Sequence, residues 1–244
     1  VTEFDASDVK IICVDGYNLQ SYSAKIGDPG ARLKSEDRTA LGDDAARSVL
    51  IGQIEAMTFT YEGWFDDVGG IGLALDGKRG VSQLLCYGIE GNAIGADFIG
   101  ARGTQTMDHP VVQQGALTRV NAEWELDAYD DEGLIIAHHV ARGAAGNTQA
   151  TPVDNAASTT GGAALYLFLT ALDLDGHDGL VVTVRDADAG LVYADLQAFA
   201  EMDDVGAQRL VASGTVERNL AVSWAWTGAG TDPSATFLVG AKRL

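Results

Sequence analysis

Cationic side chains are scarce in this chain. Sixteen Lys and Arg stand against 35 Asp and Glu in 244 residues, a formal net charge of −19. No basic run occurs anywhere, which excludes a binder that grips phosphate backbones through clustered Lys and Arg. Cysteine occurs twice, at Cys13 and Cys86, each inside an apolar run. That excludes a disulfide framework and predicts two buried free thiols. Proline occurs only four times, so Pro-rich spacers are absent. No uninterrupted apolar stretch approaches the ~20 residues of a membrane-spanning helix. The opening VTEFDASD has no apolar core of a secretory signal. The expectation is a protein made in a cytoplasm, with no membrane contact.

What is present is glycine, 30 residues of it, and alternation. The dominant hydrophobic period is two, as half-buried strands require. In QIEAMTFTYEGWFDD (53–67), Met57, Phe59 and Tyr61 alternate with Thr58, Thr60 and Glu62. In TRVNAEWELDAYD (118–130), Val120, Ala122, Trp124, Leu126 and Ala128 alternate with Arg119, Asn121, Glu123, Glu125 and Asp127. Strands are predicted at 9–14, 31–41, 53–66, 81–89, 97–106, 111–129 and 134–140, with DDEG (130–133) turning the last two into a hairpin. Short helices are predicted at 43–50, where acidic residues lead, and at 66–75, despite its glycines. Residues 141–161 are small and polar, the composition of a linker. Strands resume at 163–172, 179–185, 193–199, 207–212, 220–227 and 236–243, separated by Gly and Asp turns. The expected fold is mainly β. A sandwich or barrel domain with one short helix spans 1–145, a linker 146–160, and a second, small antiparallel sandwich 161–244.

Chemistry-bearing motifs are few. His138 and His139 are strand neighbours and so point to opposite faces. No HExxH, CxxC, GxSxG or Walker pattern occurs. LDLDGHDG (172–179) gathers Asp173, Asp175 and Asp178, but without EF-hand spacing it reads as an acidic hairpin turn. Asp66, Asp67 and Glu62 form no recognisable carboxylate pair and read as solvated turn residues. These patterns predict no catalytic residues, no metal, no cofactor and no enzymatic activity.

Several stretches, in order, carry a resemblance. VDGYNLQSYS, SEDRTALGDDAARS and IEAMTFTYEGWFDD resemble the opening half of major tail tube proteins from long, non-contractile-tailed phages. GGAALYLFLTALDLDGHDGLVVTVRDADAG, YADLQAF, GAQRLVASGTVERNLAVSWAWTG and ATFLVGAKRL resemble their C-terminal part. The resemblance implies a structural virion protein whose hexameric rings stack into the hollow tube through which viral DNA leaves. Partners would be other copies of the chain, a tape measure protein and a tail terminator, and DNA would pass without specific binding. The tail tube domain would occupy 1–145. A loop at 28–52 would reach the next ring, with Arg32, Lys34, Glu36, Asp37, Arg38, Asp43, Asp44 and Arg47 as candidate contacts.

A lumen gives the polar strand faces a purpose, because Lys and Arg there would hold phosphates while carboxylates would not. Lumen candidates are Thr58, Thr60 and Glu62 on one strand and Asn121, Glu123, Glu125 and Asp127 on another. Arg119 is out of place in that row unless it pairs with an acidic neighbour. The competing reading is a carbohydrate-binding or adhesin-like pair of sandwiches, with Trp64, Trp224 and Trp226 as sugar platforms. Trp224 and Trp226 share a face with Val222, however, which favours core packing.

Overall fold

The computed structural model describes residues 11–27, 33–37, 49–54, 57–64, 70–88, 90–111 and 118–244. The first half contributes β1 (Ile11–Val14), β2 (Tyr17–Asn18), β3 (Ser23–Ile26), β4 (Leu33–Asp37), β5 (Val49–Ile54) and β6 (Thr58–Trp64). After these come a short helix, α1 (Gly70–Leu75), and then β7 (Ser82–Gly88), β8 (Asp97–Val111) and β9 (Arg119–Arg142). The second half adds β10 (Gly146–Asn147), β11 (Val153–Asp154), β12 (Ala163–Asp173), β13 (His177–Ala187) and β14 (Ala194–Ala198). It ends with β15 (Gly206–Ala212), β16 (Asn219–Gly228) and β17 (Ser234–Arg243). Among the described residues the fold is mainly β with one short α-helix, in line with the expected class.

Among the described residues three antiparallel sheets result. Ten strands form the largest, in the order β15-β12-β17-β9-β8-β7-β1-β2, with β6 paired to β9 and β3 to β6. A five-stranded sheet runs β10-β16-β13-β14, with β11 also on β16. The ribbon β4–β5 is a sheet of its own. Among the described residues none of these sheets closes into a barrel.

Three clusters fill the interior. Leu165, Leu167 and Leu169 of β12, with Phe237 and Val239 of β17, meet Leu180, Val182 and Val184 of β13 and Val222 of β16. This is the sandwich between the large sheet and the five-stranded one. Tyr166 and Phe168, on the opposite face of β12, join Phe98, Ile135, Ile11 and both cysteines. β12 is thus buried on both faces, which is why AALYLFL lacks polar alternation. The third cluster holds Met57, Phe59, Tyr61, Val120, Trp124, Leu126 and the α1 residues Ala74 and Leu75.

The expected hairpin at DDEG is not formed. β9 runs unbroken through 24 residues, and β8 pairs along it from Asp97↔Leu134 to Val111↔Arg119 with two register shifts. Burial outweighs the local turn signal. The Asp131 carboxylate accepts hydrogen bonds from Tyr166 Oη (2.5 Å) and Arg209 Nη2 (2.9 Å), and Lys242 Nζ lies 3.2 Å away. Gly133 is needed for close approach: a Cβ there would lie 2.2 Å from the Ala241 carbonyl oxygen. The strand expected at 111–129 begins at Arg119, and 112–117 lie outside the described residues.

Two more expectations differ. In the helix predicted at 43–50, residues 43–48 are outside the described set, and Val49 and Leu50 open β5 instead. The helix predicted at 66–75 is present over its described part, Gly70–Leu75, and 66–69 lie outside the described residues. The segment 146–160 carries β10 and β11, both paired with β16. Its small polar residues serve as turn acceptors: Asn147 Oδ1 takes Gln149 N (3.1 Å) and Asp154 Oδ1 takes Ala156 N (2.8 Å). Main-chain bonding also spans the expected boundary, since β17 pairs with β9 from Ala235↔Arg142 to Ala241↔Leu134. There Arg142 donates to the carbonyls of Val140, Phe237 and His138 and lies 4.0 Å from the Phe237 ring centroid. Burial pulls its guanidinium down to about 10, still cationic at neutral pH.

Candidate functional site

The two polar rows predicted separately are direct neighbours. In the β6–β9 ladder Thr58 stands opposite Glu125, Thr60 opposite Glu123 and Glu62 opposite Asn121. Register partners in an antiparallel pair share a face, so one continuous polar surface results. Its reverse side is the core, where Phe59 meets Trp124 and Tyr61 meets Ala122. Asp127 lies one step further along the same β9 row, outside the paired stretch.

The reverse side is held by hydrogen bonds that alternation alone does not reveal. Trp124 Nε1 donates to Gln83 Oε1 at 2.8 Å. The Gln83 amide donates in turn to the Ala74 carbonyl at 3.1 Å, and Gln105 Nε2 to that of Leu75 at 3.3 Å. The last carbonyls of α1 therefore find their partners on β7 and β8. Burial pushes the Tyr61 hydroxyl up to about 12, against a lowering hydrogen bond with Ser23.

On the polar side the charges are arranged by pairing. Arg119 binds Glu62 and stacks 4.6 Å over the Trp64 ring, so the misplaced cation of the row is neutralised. Arg102 of β8 binds Asp127 at 2.7 Å. Lys25 of β3 stands opposite Glu62 in register. Glu123 and Glu125, in the middle, have no ion pair among the described residues. The face is therefore polar and close to balanced, with its uncompensated negative charge at the centre. Arg102 and Lys25 were not among the predicted site residues, because their strands show no strict alternation.

This four-stranded region has two open edges. Among the described residues, nothing pairs with the outer edge of β3. Nor does any strand pair with the outer edge of β8 beyond Thr104; there the Gln105 carbonyl accepts Gly80 N, Gln105 N donates to the Val81 carbonyl, and Arg79 donates to the Asp108 carbonyl.

Of the predicted inter-ring loop, Lys34, Glu36 and Asp37 lie on β4, opposite β5. Arg32, Arg38, Asp43, Asp44 and Arg47 fall outside the described residues, as do Asp66 and Asp67. LDLDGHDG forms the hairpin turn between β12 and β13. Asp173 Oδ1 accepts Asp175 N, while the Asp175 carboxylate accepts Thr231 Oγ1 and Asp232 N, bonds that hold it below the usual carboxylate range. His139 lies 2.6 Å from Thr170 Oγ1; burial, then the charge of Arg142, lowers both His138 and His139. Trp224 and Trp226 pack against the sandwich core and donate their indole N–H to Ala144 and Gly143 carbonyls. Among the described residues no cluster of three or more His, Cys, Asp or Glu is placed to hold a metal ion, and no helix is long and apolar enough to cross a membrane.

No family model matches the chain, and no curated protein matches it. Among solved structures, it is similar to the SPP1 Dit (gp 19.1) protein, described as a paradigm of the hub adsorption apparatus in phages infecting Gram-positive bacteria. That likeness covers 96% of this chain and 99% of the other, at 12% identity and a TM-score of 0.38. A second likeness, to a chain of infectious bursal disease virus strain Gx, covers 90% of this chain and 57% of the other, at 10% identity and a TM-score of 0.24.

Proposed function

We propose that this chain is a structural, non-catalytic virion protein of a phage tail, and that its hexameric rings stack into the hollow tube through which viral DNA leaves. The observation that carries the reading is the pairing of the two polar rows into one face. It supports the lumen assignment implied by the resemblance of the ordered stretches to tail tube proteins. The open edges of β3 and β8 support ring closure: β3 of one copy adds to the 106–111 edge of the next, removing edges that otherwise aggregate. Six copies of four strands, at ~4.8 Å spacing and a tilt of ~40°, give a backbone diameter of about 48 Å.

Both arginines of the face are engaged by carboxylates, and Glu123 and Glu125 repel phosphate. A duplex then meets no free guanidinium on which to stall. The ribbon β4–β5, a two-stranded sheet that is marginal alone in water, is the element that reaches a neighbouring ring. Tape measure and terminator proteins are the remaining partners, and no cofactor takes part.

Negative-stain images of the purified protein at high concentration test the assembly. Hollow tubes of uniform diameter are expected. A strict monomer under all conditions overturns the proposal, and closed rings that never stack overturn the tube while leaving a tail role. For the lumen, Glu123→Lys with Glu125→Lys is expected to slow DNA ejection from assembled virions. Normal ejection by that variant excludes this face as the lining.

A further inference from the structure

The chain's two cysteines, far apart in sequence, are register partners: Cys13 on β1 stands directly opposite Cys86 on β7. Both side chains enter the same buried cluster, beside Phe98, Ile135 and Tyr166, and both are free thiols. The next-but-one pair, Asp15 and Leu84, is joined by a main-chain bond from Asp15 N to Leu84 O (2.8 Å). Hydrogen-bonded and non-hydrogen-bonded pairs alternate along such a ladder, so Cys13 and Cys86 are also a hydrogen-bonded pair. That class has Cα atoms about 5.5 Å apart, inside the range of bridged cysteines, and Cβ atoms near the wide end of about 4.5–5.5 Å, which have to draw together by about 1 Å to bridge.

We propose that Cys13 and Cys86 are a latent cross-strand disulfide, closed by a two-electron thiol oxidant with a small local approach of β1 to β7 and no change of register. One thiolate adds to the oxidant and the second displaces it from the first sulfur. The S–S bond forms as the two thiols together give up two protons and two electrons. With diamide these reduce the N=N bond to a hydrazine.

The bridge would fasten β1, which among the described residues is flanked on its outer side only by the two-residue β2, to the interior of the large sheet. Burial, with the neighbouring thiol, pushes the Cys13 thiol well up. The reduced pair is therefore stable and slow to react, and closure follows brief opening of the β1–β2 corner. The inference does not depend on the proposed function.

The test uses the full native chain, treated with diamide at mildly alkaline pH. It is then quenched in acid, alkylated after unfolding, and mapped by mass spectrometry without reduction. The expected result is a single Cys13–Cys86 linked peptide within one chain, no disulfide-linked dimer on a non-reducing denaturing gel, unchanged far-UV circular dichroism, and a melting midpoint raised by about 10 °C and restored by dithiothreitol. Cys86→Ala, treated alike, is expected to show neither link nor shift. Two thiols that stay alkylatable after oxidation of the folded chain, and link only once it is unfolded, overturn the proposal. So does a link that lowers the midpoint or alters the circular dichroism.

Discussion

Asp131→Asn separates two accounts of residues 130–133 that differ by several kcal/mol. As a solvent-facing turn, the substitution belongs to the surface class, within about 0.5 kcal/mol of neutral. In the structure the Asp131 side chain is 4% exposed and joins three strands, through Tyr166 of β12, Arg209 of β15 and Lys242 of β17. Asparagine keeps the size and one acceptor for Tyr166 but removes the buried carboxylate charge that faces the Arg209 guanidinium, 19% exposed. Breaking a buried pair costs about 3–5 kcal/mol. Lys242 is one-third exposed and its share is screened, so about 3 kcal/mol is the expected loss. For a chain of this size that is a fall of roughly 9 °C in melting midpoint.

The pH dependence gives a second reading of the same group. Burial raises the Asp131 carboxyl, but hydrogen bonds from Tyr166, Arg209 and Lys242, with the charge of Arg209, outweigh it and hold the group below its ordinary value. A folded-state pKa below the unfolded one gives stability that is complete above the ordinary carboxylate range. It is lost as pH falls through the depressed value. Urea unfolding of both proteins at neutral pH should show the full gap, and the gap should narrow progressively below about pH 4. A loss under about 0.5 kcal/mol, or a gap unchanged down to strong acid, refutes the buried-clamp account.

Gly133→Ala probes the same crossing from the backbone side. With the new Cβ 2.2 Å from the Ala241 oxygen, main chain has to move, and a loss of about 2 kcal/mol in urea unfolding is expected. Trp124→Phe removes the donor to Gln83 Oε1 inside the core, and should cost about 2 kcal/mol in the same assay. Leu191 sits at φ 56 and is 53% exposed, so its left-handed backbone is not repaid by burial. Leu191→Gly should raise the urea midpoint by an amount equivalent to about 0.5–1 kcal/mol.

The second half was legible because each strand there is bounded by its own turn residues. LDLDGHDG and DADAG stop strands where local chemistry says they stop, and nothing distant overrules them. DDEG failed for the opposite reason. Its turn propensity is local, whereas the partners that keep Asp131 in a strand lie 35, 78 and 111 residues later in the chain. Composition misled in 146–160 for a related reason: small polar residues suit a tether and also suit short strands with side-chain-bonded turns. The caps that Gln83 and Gln105 place on α1, and the facing of Cys13 and Cys86, depend on register. No periodicity encodes register across a gap of that length.

The polar face shows how far alternation reaches and where it stops. Period two assigns Thr58, Thr60 and Glu62 to one side of their strand, and Asn121, Glu123 and Glu125 to one side of theirs. It does not say that the two strands pair, nor that the polar sides coincide. Once one side is buried the coincidence follows, because a slip of one residue would bury Glu123 and expose Trp124. Pairing then changes the electrostatic argument. Glu62 and Asp127 are engaged by Arg119 and Arg102, so the chain's −19 overstates what a passing phosphate meets. At a Debye length of ~8 Å in physiological salt, charge elsewhere on the subunit is largely screened. The local repulsion falls to Glu123 and Glu125, and for that reason the proposed channel stands or fails on those two side chains.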